Sequence, residues 1–244
     1  MPFRATMLAL LSLPLMPAPL TDIVPVAPGS AVLDASRVGE TTDTTNMFFS
    51  RDGQERGGPM QVESTQRTTR NGVPVFEHRI VVLAPGGRPF MDDTTWYHAT
   101  TLAPIAHRSH GTNRSLSIDY SAGRVTGFLK DTAGTHPIEV ALAQPVFDPS
   151  ELQSLVRSLP VKVGTSFILP LFDHQTYGIQ MDTLVVEGAD QVETESGMVA
   201  AWRLGLATAD RKATYYLAQD TGRELKVLVT WGGGSMRVIG TGVK

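Results

Sequence analysis

The stretch PVFDPSELQSLVRSLPVKVG, Pro145 to Gly164, predicts one short amphipathic helix with both ends marked. Asp148 stands where an N-cap belongs and Pro149 at the first helical position. Glu151 follows the cap at the spacing of a capping box, and Phe147 and Leu152 occupy the two positions of a hydrophobic staple. Leu152, Leu155, Val156 and Leu159 then recur at the i, i+3, i+4, i+7 spacing that lines one face of a helix. Pro160 disfavours helix at Leu159 and stops the run. A helix this short is not stable alone in water. Its stripe must be buried, each leucine contributing about 1.5–3 kcal/mol, with the cap adding about 1 kcal/mol.

Almost everything around that helix reads as strand and turn. Asn71-Gly72 marks a tight hairpin between MQVESTQRTTR and VPVFEHRIVVL. In NRSLSIDY, Leu116, Ile118 and Tyr120 alternate with Ser115, Ser117 and Asp119. Met198, Ala200, Trp202, Leu204 and Leu206 fall on one side of GMVAAWRLGL. Leu225, Val227, Val229 and Trp231 do the same in RELKVLVTW, with Glu224, Lys226 and Thr230 on the other side. One-sided alternation belongs to antiparallel sheets with one wet face. The predicted fold class is therefore mainly β: a curved antiparallel sheet or incomplete β-barrel, with the one short helix packed on its concave face. The only apolar surface available to the leucine stripe is the inner face of that sheet.

The chain has 244 residues, 41% of them hydrophobic and 18% charged, enough for a real core and too apolar for a disordered chain. A net charge of -3 without a basic stripe argues against nucleic acid as a partner. Cysteine is absent, which removes disulfides, thiolate nucleophiles and a lipobox anchor. Residues 1–20, MPFRATMLALLSLPLMPAPL, read as a secretory signal: one Arg, then an apolar run too short and too proline-rich to span a membrane. Residues 21–39 read as a Pro/Gly/Ser-rich lead-in linker, and 40–244 as a single antiparallel β domain. No later segment is apolar for long enough to cross a membrane.

The order of several features resembles the bacterial exported domain of unknown function 3108. From Trp96 onward they are TTLAPIAHRS and SIDYSAGRVTGF, then VFDPSELQSLVRSLPVKVG and VVEGADQVETESGMVAAWRL, and finally YYLAQDTGRELKVLVTW. The family's helix ending is matched by Arg157, Leu159, Pro160 and Gly164. Its central strand and turn are matched by Val186, Gly188, Val192 and Gly197, and its closing turn by Asp220 to Arg223. Tyr215-Tyr216 departs from an aromatic-Trp pair. The resemblance implies an envelope-exported β domain, similar in outline to the half-barrels of lipoprotein-carrier proteins. It brings no catalytic residues and no cofactor.

Motifs for chemistry are weak. His107 and His110, with His98, read as solvated loop histidines rather than metal ligands, because a metal site needs three or four converging groups. Asp92-Asp93 reads as a turn; adjacent strand residues would point to opposite faces. Ser109, Ser117 and Ser121 lack a nucleophile-elbow context. The glycines of WGGGS, Trp231 to Ser235, read as a hairpin loop. The expectation is a non-enzymatic exported domain without catalytic or metal-binding residues. It binds a hydrophobic or lipid-like ligand in a pocket lined by Leu152, Leu155, Val156, Trp96 and Trp202, or it serves an envelope protein in assembly. The alternatives are a hydrolase with a loop-borne polar site and a purely structural interaction module.

Overall fold

A computed structural model describes residues 22–208 and 211–243. The expected signal segment, residues 1–20, lies outside the described residues. The strands before the helix are β1 (Asp22–Pro25), β2 (Thr41–Arg51), β3 (Gln54–Arg70), β4 (Val73–Leu83), β5 (Pro89–His98), β6 (Pro104–Gly111), β7 (Ser115–Ser121), β8 (Arg124–Asp131) and β9 (Gly134–Ala141). A 3-10 turn, Pro149–Glu151, runs straight into α1 (Leu152–Ser158). After it come β10 (Thr165–Asp173), β11 (Gly178–Thr194), β12 (Gly197–Ala207), β13 (Arg211–Ala218), β14 (Glu224–Trp231) and β15 (Gly234–Gly240).

All fifteen strands join one open sheet in the order β1-β10-β11-β12-β13-β14-β15-β2-β3-β4-β5-β6-β7-β8-β9. The two antiparallel meanders, β2–β9 and β10–β15, are stitched together by the pairing of β15 with β2. Only β1 runs parallel to its neighbour, β10. Asn71 and Gly72 both have positive φ, as the tight turn between β3 and β4 requires. The glycines after Trp231 close the β14–β15 hairpin, where Trp231 pairs with Gly234.

One core draws on both meanders. Phe76 and Tyr97 from the first pack with Phe167, Leu169, Leu184 and Leu204 from the second, and Leu155, Val156 and Leu159 of the helix complete the cluster. Burying each meander's apolar face against the other and the helix removes surface that either would expose alone.

The N-terminus of the helix forms as its spacing predicts. Asp148 accepts from the Ser150 N–H at 2.9 Å, and the Asp148 N–H donates to Glu151 Oε1 at 2.7 Å, giving a capping box. The C-terminus is closed by the segment read as a lead-in. The Asp34 N–H donates to the Ser158 carbonyl at 2.9 Å, and the Arg37 guanidinium donates to the Leu159 carbonyl at 2.7 Å. The Leu159 carbonyl also accepts from the Val161 N–H at 3.0 Å, so the carbonyls at the helix end are satisfied. Residues 22–39 thus contribute a strand, buried Val26 and Val38, and the lid on the helix C-terminus.

Two local readings need correction. Asp92 and Asp93 lie in β5 and not in a turn, with their side chains on opposite faces of the pleat: Asp92 pairs with Arg79, and Asp93 sits in the row of Ser109. In β12, Leu204 and Leu206 are buried as expected, but Met198 is 61% exposed and Ala201 fully buried. The far end of the β11–β12 hairpin projects beyond the main core. There the opposite face is covered instead, by a small cluster of Val192, Ala201 and Ala218.

Candidate functional site

The inner face of the first meander carries a row of polar side chains. Register places Thr65 opposite His78, His78 opposite Thr95, and Thr95 opposite His107. All four are at most 2% exposed. Thr65 Oγ1 lies 2.9 Å from His78 Nδ1, and Thr95 Oγ1 lies 2.9 Å from His107 Nδ1. Glu63 stands beside this row, its Oε1 at 3.3 Å from His78 Nε2. A two-residue hairpin pairs residues equidistant from its turn. The Asn71-Gly72 turn therefore already implied the first Thr–His pair.

The polar side of the helix meets this row. Glu151, Ser154, Arg157 and Ser158 are buried along with Leu155, Val156 and Leu159, so the helix is covered on most of its circumference, with Leu152 and Gln153 only partly buried. Tyr97 Oη and Ser154 Oγ lie 2.6 Å apart. The Arg157 guanidinium donates to the Gly222 carbonyl and to Thr41 Oγ1, and lies 3.6 Å from Asp43. Burial, reinforced by the nearby Asp148 charge, pushes the Glu151 carboxyl well above its usual range. Burial pushes Glu63 up to about 7 against the pull of Arg157, and drives His78 down to about 4.

At the edge of this layer three groups from distant parts of the chain converge. His107 comes from β6, Asp148 from the helix N-cap, and His174 from the turn between β10 and β11. Their ligating atoms all lie within 4.8 Å of one another. Asp148 Oδ1 is 3.5 Å from His107 Nδ1, and Asp148 Oδ2 is 3.1 Å from His174 Nε2. The Tyr120 hydroxyl donates to Oδ2 at 2.6 Å. The two imidazole rings are 4.6 Å apart between centroids. Burial alone would raise Asp148, but the two histidines outweigh it and hold the carboxyl well below its ordinary range. Burial likewise opposes the charge on His107, and Asp148 reverses that effect and raises it.

The expectation of solvated loop histidines is therefore overturned for His107, which is a buried strand residue. His110 is exposed at the end of the same strand, and His98 is half-buried. His174, which the sequence reading did not single out, is the third member. Ser150 Oγ lies 3.4 Å from His107 Nδ1, the nitrogen that also faces Asp148. A serine–histidine–aspartate relay needs the serine and the carboxylate on different nitrogens of the ring, so these three groups are not in relay order.

Beside His174 lies a groove of about 360 Å³. Its floor is a cross-strand row, Leu206, Ala213, Val229 and Met236, paired in register from β12 to β15. Tyr215 and Leu171 flank the floor, and Leu152 and Pro149 of the helix form one wall. Asp173, His174, Gln180 and Arg211 add polar groups to the lining, together with the buried Asp182.

The five residues expected to line a pocket are dispersed. Leu152 lines the groove. Leu155 and Val156 are sealed in the core. Trp202 lines a separate, larger cleft of about 830 Å³ with Ile23, Val24, Val161 and Phe167. Trp96 is on the face of β5 opposite to buried Tyr97. Its indole N–H donates to Glu77 at 2.8 Å, and the Arg70 guanidinium stacks on its ring at 4.3 Å.

The family description DUF3108, protein of unknown function, matches residues 58–236. This chain belongs to the DUF3108 family. The match starts well before Trp96, where the likeness in the sequence begins, so the polar row from Glu63 to His107, the helix and the groove all fall inside the DUF3108 region. Comparison with curated proteins and with solved structures finds no match.

Proposed function

We propose that this DUF3108 domain is a non-enzymatic binding protein, exported to the cell envelope, that holds a hydrophobic or single-chain lipid-like ligand in the groove beside Leu152. The observation that carries the reading is the groove itself: an unbroken apolar floor running across four strands, walled by a capped helix, with a few polar groups beside it. Its volume falls within the size range of small-molecule sites, which are apolar with a few placed polar groups. A tail would lie along Ala213, Val229 and Met236, and a polar end would stay among Gln180, Asp182 and Arg211. Export is supported by the apolar run after Arg4, and by the absence of cysteine only in that nothing in the chain demands a reducing compartment.

Native mass spectrometry of delipidated protein incubated with oleate tests this. A one-to-one adduct is expected, and Val229→Trp, which fills the floor from a partly buried position, removes it while leaving the melting temperature within a few degrees. Absence of an adduct, or an adduct indifferent to the filled groove, would overturn the reading.

A further inference from the structure

We infer that His107, Asp148 and His174 form a binding site for one divalent transition-metal ion. Two imidazoles and one carboxylate are a mixed N/O donor set, which suits zinc and the later first-row metals rather than calcium or magnesium, which prefer all-oxygen shells. Two of the three separations fit, and all three ligand atoms lie within 4.8 Å of one another. Tetrahedral ligand atoms about 2.0–2.1 Å from zinc are about 3.3 Å from one another. The two contacts that Asp148 makes, 3.5 Å to His107 Nδ1 and 3.1 Å to His174 Nε2, lie on either side of that separation.

The ligands are also held in place. Asp148 is fixed by the helix it caps, by the Ser150 N–H on one oxygen and by the Tyr120 hydroxyl on the other. Thr95 Oγ1 and Ser150 Oγ lie 2.9 and 3.4 Å from His107 Nδ1, the nitrogen that faces Asp148, so an ion bound there takes the place of these contacts on that nitrogen. Entry is from the β10–β11 turn, where the His174 side chain keeps 17% of its surface in solvent. Three protein ligands leave a fourth coordination position for water or a ligand atom. His174 also lines the groove, yet the metal site stands on its own geometry, whether or not the groove takes a lipid.

The full chain, stripped with a chelator and dialysed, is titrated with Zn²⁺ by calorimetry and with Co²⁺ by visible absorption. One ion per chain is expected, with the absorption of a four-coordinate Co²⁺ centre. His174→Ala is expected to weaken Zn²⁺ binding at least about 10-fold, with unchanged circular dichroism and a lower melting temperature in the absence of metal, because the buried Asp148 loses one of its two histidine partners. Asp148→Asn, which keeps an N-cap side chain, weakens binding as well. His110→Ala, an exposed histidine on the same strand as His107, leaves it unchanged. No binding at all, or Zn²⁺ binding indifferent to His174→Ala, overturns the assignment and reduces the cluster to an ion pair that neutralises a buried cap.

Discussion

The hydroxyls of Tyr97 and Ser154 meet at 2.6 Å, tying the C-terminal end of β5 to the side of α1 opposite its leucine stripe. Both residues are buried. The helix therefore does not float an apolar face on a sheet with its polar side in water. It is clamped between an apolar core and a polar layer, and this arrangement sets what each substitution should do.

Leu155→Ala is expected to destabilise the fold by about 2–5 kcal/mol, because the side chain is fully enclosed and its removal leaves a cavity. Leu152→Ala is expected to cost clearly less, since Leu152 is half-buried and lines the groove. Urea unfolding of the two variants measures the difference; equal losses would contradict the assignment of a filled core under one and open space beside the other.

Asp148 serves as N-cap and as the common partner of His107, His174 and Tyr120. Asp148→Ala is expected to cost about 3–5 kcal/mol, the usual consequence of breaking a buried charged network from one side. Asp148→Asn retains an N-cap oxygen worth about 1 kcal/mol and should cost less. Chemical denaturation at neutral pH separates them.

Glu63 and His78 give opposite pH dependences. The folded Glu63 carboxyl titrates at about 7 against an ordinary value of 4.5, so the folded state holds its proton longer than the unfolded chain. Its contribution is complete below about 4.5 and is lost as the pH rises toward 7. Relative to wild type, Glu63→Gln should gain stability across that window. The folded His78 imidazole titrates at about 4 against 6.5, so the unfolded chain takes up the proton first, and stability is lost as the pH falls from 6.5 toward 4. His78→Gln should therefore gain on wild type toward acid. Melting curves at half-unit pH steps, read as differences from wild type, check both signs.

Gly127 in β8 pairs with Ile118 at a point where an added Cβ would sit 1.9 Å from the Ser117 carbonyl oxygen. No side chain fits without shifting the backbone of β7. Gly127→Ala is expected to cost more than about 1 kcal/mol and to raise amide exchange in β7 and β8 first. Exchange protection unchanged in those strands would show that the approach is not this close.

Much of the helix could be read directly. Its cap, its box and its apolar stripe are all set by residues within one or two turns of each other, and local spacing determines them. The same holds for the Asn71-Gly72 hairpin and the alternating strand β7. The polar layer was illegible because Glu151, Ser154 and Arg157 have the composition of a wet helix face. Only the distant register of β3 through β6 gives them partners. Likewise, nothing local joins His107 on a strand, Asp148 at a cap and His174 in a turn. The Trp96-Tyr97 pair shows a smaller ambiguity. The pleat guarantees that the two point opposite ways, and the tertiary fold alone decides that Tyr97 goes inward.

The open sheet has two outer strands, and each carries a proline: Pro25 closes the four-residue β1, and Pro137 sits within β9. A proline deprives an edge of one backbone donor, and β9 adds exposed His136 and Glu139, which pair with Asp131 and Arg124. A fifteen-strand array left unsealed would otherwise be a template for recruiting further chains side by side. Its two rims are blunted against that growth, so the sheet can remain unclosed without becoming the seed of a fibre.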